Sequence, residues 1–118
     1  MTGSVGYHAG LMAEDIVARD YRRRRHEVVA QRWRGAGGEI DLILRDGESV
    51  IFVEVKKSKT FARAASRLGR RQMDRLCASA SEFLAGEPRG QLTDVRFDLA
   101  MVDETGAVKV IENAFMEA

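Results

Sequence analysis

The chain has 118 residues, 45% of them apolar and 31% charged, with a formal charge of +1. That length suits one domain, residues 1–118, around one core, and the apolar share excludes an intrinsically disordered chain. No apolar run is long enough to span a bilayer, no secretion signal opens the chain, and the single cysteine has no disulfide partner, so no membrane partner and a reducing, cytoplasmic setting are expected.

The first predicted element is a helix from about His8 to Arg25, in which Ala13, Val17 and Tyr21 recur every fourth residue as one apolar stripe. A strand over Glu27–Arg34 follows, and Gly35, Gly37 and Gly38 then break the chain. Two further strands, Glu39–Leu44 and Ser49–Lys57, flank Arg45-Asp46-Gly47-Glu48, where Asp-Gly between apolar residues signals a hairpin. A long helix over Ala62–Leu84 is expected to turn Leu68, Leu76, Ala80, Phe83 and Leu84 inward, and Gly86 and Pro88 stop it. Strands at Val95–Asp103 and Ala107–Glu112 complete the order α-β-β-β-α-β-β, an α/β class with a mixed sheet flanked by helices.

Charge is unevenly spread along these elements. Eight basic residues and one acid lie between Lys56 and Arg75, a block of four arginines spans Arg22–Arg25, and six acids follow Thr93. Such asymmetry suits a surface that meets a polyanion, although runs of charge also serve as solvated faces.

The hairpin carries charges where a plain strand has Thr, Val or Tyr. Alternation places Glu54 and Lys56 on one face of their strand and Glu39 and Asp41 on one face of theirs. With Asp46-Gly47 as a two-residue turn, Glu39 lies across from Glu54 and Asp41 is its diagonal neighbour; a longer loop shifts this register. Three carboxylates on one face need more cation than Lys56 provides, and their hard oxygens suit Mg²⁺ or Mn²⁺, with Asp41, Glu54 and Glu39 as the metal set. The competing reading leaves Glu39 and Glu54 facing solvent on an open sheet. A carboxylate-held metal beside a lysine is equipped to hydrolyse a phosphodiester, with Lys56 orienting water or countering charge on the phosphate.

Asp41 followed by Glu54-Val55-Lys56 resembles the PD-(D/E)xK nuclease motif, with Ile40 in place of its proline. The wider pattern covers nearly the whole chain: Gly10 to Glu14, Trp33-Arg34, Gly38-Glu39-Ile40-Asp41-Leu42-Ile43, Phe52-Val53-Glu54-Val55-Lys56, Arg96-Phe97-Asp98 and Asn113-Ala114-Phe115. It resembles the bacterial YraN family, which is similar in fold to archaeal Holliday-junction resolvases and restriction endonucleases. The resemblance implies a restriction-endonuclease-like fold, a metal site at Asp41, Glu54 and Lys56, and a role for Glu14 on the first helix. Gln72 falls in the inner stripe of the long helix and needs a polar partner, which the carboxylate face offers; the family pattern has lysine there. Lys57-Ser58-Lys59 likewise departs from the family's Thr-Arg.

Lys57, Lys59, Arg70, Arg71 and Arg34 are the candidates for holding DNA phosphates, and a homodimer would double the surface offered to branched DNA. Trp33 reads as a core residue more readily than as a base-stacking one, Cys77 as core filling, and His8 and His26 as structural or solvent-facing. Asp98 suggests a polar contact at a strand end. Three functions follow: a Mg²⁺-dependent DNA nuclease, a nucleic-acid-binding module with little or no hydrolysis, and an interaction protein whose carboxylates hold a structural ion.

Overall fold

A computed structural model describes the backbone of residues 2–114 and the side chains from residue 12 onward. The His8 side chain and Phe115 lie outside the described residues. The elements are α1 (Thr2–Arg23), β1 (Glu27–Gly35), β2 (Gly38–Asp46), β3 (Ser49–Lys57), α2 (Phe61–Ala65), α3 (Arg70–Leu84), β4 (Val95–Val102) and β5 (Val108–Ile111). The five strands form one sheet in the order β1-β2-β3-β4-β5, parallel between β3 and β4 and antiparallel elsewhere, so the expected mixed α/β architecture stands. Among the described residues no helix is long and apolar enough to cross a membrane.

The two sides of the sheet are covered by different helices. Ala13, Val17 and Tyr21 of α1 pack on Leu42, Leu44, Ile51, Val53, Ala100 and Val102, as the stripe predicts. Leu76, Ala80 and Leu84 of α3 pack on Ile40, Ile43, Val50 and Phe52 from the other side. Helix α1 closes where Arg25 takes a left-handed φ of 68° and the His26 N–H reaches back to the Tyr21 carbonyl at 3.0 Å, the bond of a Schellman stop. The helix therefore runs Thr2–Arg23, starting earlier than the expected His8 and ending two residues sooner.

The single long helix expected from Ala62 is in fact two. Thr60 caps α2, its side chain accepting a hydrogen bond from the Arg63 N–H, and extended Gly69 begins α3. Glycine is costly inside a helix, and the break lets the two pieces follow different strands. Ala64 of α2 sits on Leu99 and Met101 of β4, with Leu68 packed alongside, while α3 takes the surface of β2 and β3. Cys77 is exposed, not core: it lies about 100° around α3 from Leu76, and the inner stripe is filled by Leu76, Ala80 and Leu84.

The hairpin register also differs from the expected one. Asp46 pairs with Ser49, so the turn residues are Gly47 and Glu48, with Gly47 at φ 62° in the first central position, as a II′-type turn requires. Moving the turn by one residue slides the pairing by two. Glu39 is therefore not across from Glu54; continued past its last pair, Leu42 with Val53, the ladder brings Asp41 level with Glu54.

A carboxylate cluster at a fork in the sheet

Beyond Leu42 and Val53 the hairpin divides. Strand β2 stays with β1 through Ile40–Trp33 and Glu39–Arg34, whereas β3 stays with β4 through Glu54–Leu99 and Lys56–Met101. The Val55 N–H, on the side of β3 that faces the fork, donates to the Asp41 carboxylate at 2.8 Å. Asp41 thus takes the place of a backbone acceptor, which holds the fork open and keeps a part-buried donor satisfied.

A kink makes this possible. Ile40 and Ile43 belong to the α3-side core while Leu42 belongs to the α1-side core, so β2 skips one step of its alternation at Asp41. Strand β1 skips with it: Ala30 and Trp33 both pack on the α3 side, and Arg32, between the pairs Gln31–Leu42 and Trp33–Ile40, has a left-handed φ of 54°. Nearby, Gly37 passes so close to α3 that a Cβ there would lie 2.7 Å from the Arg75 carbonyl.

The charged residues consequently do not share one face. Glu39 turns to the α1 side, where Glu14, Glu39 and Asp41 each bring a carboxylate oxygen, all within 4.8 Å of one another. Glu54 alternates with Val53 and Val55, which belong with the α1-side core, and so points to the α3 side, where Gln72 donates to its carboxylate at 2.8 Å. Asp41, in the fork, touches both groups. The metal set expected from alternation, Asp41, Glu54 and Glu39, therefore divides: Glu14 completes the tight trio, and Glu54 joins through Asp41.

The local electrostatics follow from this crowding. Burial first, then the charge of Asp41, push the Glu14 carboxyl from 4.5 up to about 7, Arg32 acting against the rise. One Glu14 oxygen is buried without a hydrogen-bond partner among the described residues. Glu54, 6% exposed, is also raised, by burial and then by its hydrogen bond with Asp41 and that residue's charge, while Lys56 and Gln72 pull it down. Burial and crowding thus favour the protonated form of both carboxyls. A carboxyl raised in the folded protein stabilises below its unfolded value and loses that contribution as pH rises through the folded one. In chelator-containing buffer the urea midpoint is accordingly expected to fall between about pH 5 and pH 8, and Glu14→Gln should flatten that fall. An equal slope in both proteins would count against the raised Glu14.

Lys56 is half-buried beside Glu54. Lys57 and Lys59 are exposed where β3 ends, with Arg67 of the α2–α3 link bonded to the Lys57 carbonyl at 2.9 Å. Arg70 and Arg71 are exposed in the first turn of α3, immediately before Gln72. Arg34, its side chain 79% exposed, reaches to 3.9 Å from Glu39. A cleft of about 150 Å³ lined by Gly37, Gly38, Glu39, Gln72, Arg75 and Leu76 lies between the start of β2 and α3. Trp33 stands edge-on to Phe83 in the α3-side core, as a core residue should. His26 lies edge-on to Tyr21, with its Nε2 3.9 Å from Asp46.

Asp98 has a larger part than a strand-end contact. It is fully buried and accepts from the Tyr21 hydroxyl at 2.8 Å, from Arg96 through two bonds, and from the Asn113 N–H. Its signal in the sequence is a pair of oddities: a tyrosine in the apolar stripe of α1 and an acid within an apolar strand, each needing a partner.

These features define a small mixed α/β domain whose sheet forks around a cluster of carboxylates from a helix and two strands. The profile of the family described as "Uncharacterised protein family UPF0102" matches residues 13–102. A UPF0102 protein of Cereibacter sphaeroides is 64% identical over 115 residues, covering 98% of each chain. One from Ruegeria pomeroyi is 59% identical, covering 96% of this chain and 92% of its own, and one from Dinoroseobacter shibae is 44% identical, covering 92% and 81%. The chain belongs to the UPF0102 family.

Proposed function

We propose that this protein is a metal-dependent nuclease, with a restriction-endonuclease-like fold, that hydrolyses DNA phosphodiesters, branched or otherwise structured DNA being the preferred class. The observation that carries the reading is the fork: it gathers Glu14, Glu39, Asp41 and Glu54 from three elements, with Lys56 beside them. The donor set fits a divalent cation. Its oxygens are hard ligands close enough to share one ion, and the buried Glu14 oxygen lacks any other partner among the described residues.

Glu14, Glu39 and Asp41 would hold Mg²⁺ or Mn²⁺, with Glu54 joining when it gives up its proton. Such a cation polarises a phosphoryl oxygen and acidifies bound water. Lys56 supplies positive charge against the phosphate, and Gln72 orients Glu54 through its amide. Lys57, Lys59, Arg70, Arg71 and Arg34 provide sequence-independent phosphate contacts. One small domain presents little surface, so we assign branched DNA to a homodimer.

The second reading, a DNA-binding module with little hydrolysis, is favoured by one observation: the neutral amide of Gln72 is bonded to Glu54 where the family pattern places a lysine. Incubation of linear, nicked and four-way DNA with Mn²⁺ separates the two. Cutting by the wild type, lost in Glu54→Ala and Lys56→Ala, is expected. Binding that weakens steeply with salt while every DNA stays intact would favour the module instead.

A further inference from the structure

We propose that Arg32 is the residue of this site that receives the phosphodiester, held on Glu39 until the substrate phosphate displaces that carboxylate. This deepens the nuclease reading and rests on it.

Arg32 has a backbone conformation that a non-glycine residue adopts at a cost, φ 54° in the middle of a strand. Such strain persists where the surroundings over-determine it, and it concentrates at functional sites. Here the surroundings are Asp41 opposite, in the partner strand, and the shared break in alternation that opens the fork. The result of the kink is an arginine aimed at the carboxylates: its Nε lies 3.6 Å from Glu39 Oε1, and its charge opposes the rise of the Glu14 carboxyl.

The geometry of that contact is loose enough to exchange. At 3.6 Å the pair is an ion pair and not a short hydrogen bond, and the Arg32 side chain is 41% exposed against 28% for Glu39. A guanidinium presents a planar fork of donors that matches a phosphate, and it stays charged at any working pH. If the carboxylates turn to a cation, Glu39 loses charge for Arg32, and donors of the guanidinium can turn to a phosphodiester. Arg32 would thereby restore positive charge on the side of the fork away from Gln72.

The test uses the full chain carrying Arg32→Gln, Arg32→Gly or Arg32→Lys. Binding is measured on labelled four-way DNA across a salt series, with Ca²⁺ in place of Mn²⁺, and cleavage is measured with Mn²⁺. Arg32→Gln should reduce the slope of log affinity against log salt by about 0.9, the share of one phosphate contact on duplex DNA, and slow cleavage. Arg32→Lys should keep the slope and lose part of the rate. Arg32→Gly is the decisive variant, because glycine accepts φ 54° freely: it should unfold at or above the wild-type temperature and bind Mn²⁺, yet cut as poorly as Arg32→Gln. An Arg32→Gly protein that cuts and binds like the wild type overturns the proposal, as does an unchanged slope in Arg32→Gln. If the wild type itself shows no salt-dependent DNA binding, the nucleic-acid reading fails first and Arg32's role falls with it.

Discussion

An Asp41→Asn protein is expected to remain folded, to lose most of its affinity for Mn²⁺, and to cut DNA at least about a hundredfold more slowly, since even residues that only orient metal ligands cost ten- to a hundredfold when replaced. The substitution separates the two duties of Asp41. As a structural acceptor it receives the Val55 N–H at 2.8 Å in the fork, and the side-chain oxygen of asparagine can do the same. As a charged carboxylate it completes the trio with Glu14 and Glu39, and asparagine supplies no charge. Asp41→Ala confuses the two, because it also strands a backbone donor at a cost of about 1–3 kcal/mol. Calorimetric titration with Mn²⁺ and thermal unfolding of the same preparations read both duties. Heats in Asp41→Asn equal to those of the wild type would refute a metal site at the fork.

The same variant should lower the Glu54 carboxyl toward its ordinary value. Asp41 raises Glu54 through both a hydrogen bond and its charge, and asparagine removes that charge. The fall in stability toward alkaline pH should therefore be shallower in Asp41→Asn than in the wild type, in urea titrations with chelator present. For the wild type, a cation at the proposed site would displace protons favoured by the raised Glu14 and Glu54 carboxyls, so affinity for Mn²⁺ should rise with pH over the window in which stability in chelator falls.

The largest loss of stability is expected at Asp98, which lies outside the proposed metal set although it pairs with Val53, next to Glu54. Asp98→Ala removes the acceptor of a buried tyrosine hydroxyl and of the Asn113 N–H, and takes from Arg96 the carboxylate to which it makes two hydrogen bonds. Breaking a buried ion pair by deleting one partner costs about 3–5 kcal/mol. At about 4–8 °C per kcal/mol for a domain near this size, the unfolding temperature should fall by more than about 10 °C. Tyr21→Phe should cost less, since Asp98 keeps Arg96 and the backbone donor. The two changes together should be non-additive by about 0.5–3 kcal/mol, because the partners share a network. Asp98→Ala melting within a degree or two of the wild type would show the network to be dispensable.

This network bears on the candidate site through α1. Tyr21 lies seven residues, about two helical turns, from Glu14, and its bond to Asp98 fixes the helix against β4. Glu14 reaches Glu39 and Asp41 only from a helix held in that position. Weakened Mn²⁺ binding in Tyr21→Phe, with the protein still folded at the assay temperature, would express that coupling.

Much of the architecture was legible from residue order alone, because its causes are local. The Ala13/Val17/Tyr21 stripe, the strand spans and the hairpin each depend on neighbours within a few positions, and all appear at nearly the expected places. The grouping of Asp41, Glu54, Lys56 and Gln72 was legible in the residues and that of Glu14 only through the family resemblance, and the fork brings all five into one neighbourhood. Only the tertiary structure could decide how they are shared out. The turn could be closed on Asp46-Gly47 or on Gly47-Glu48, since Gly47 suits a central position in either, and the pairing of β1, β2 and β3 selected the second. The break at Gly69 answers the need of α2 and α3 to cover different strands. The kink at Arg32 and Asp41 arises between two paired strands and is shared by both. It moves Glu39 to the α1 side, leaves Glu54 on the α3 side and sets Asp41 between them. Strand periodicity carries no information about such a coordinated skip, because its cause lies across the sheet and not along the chain.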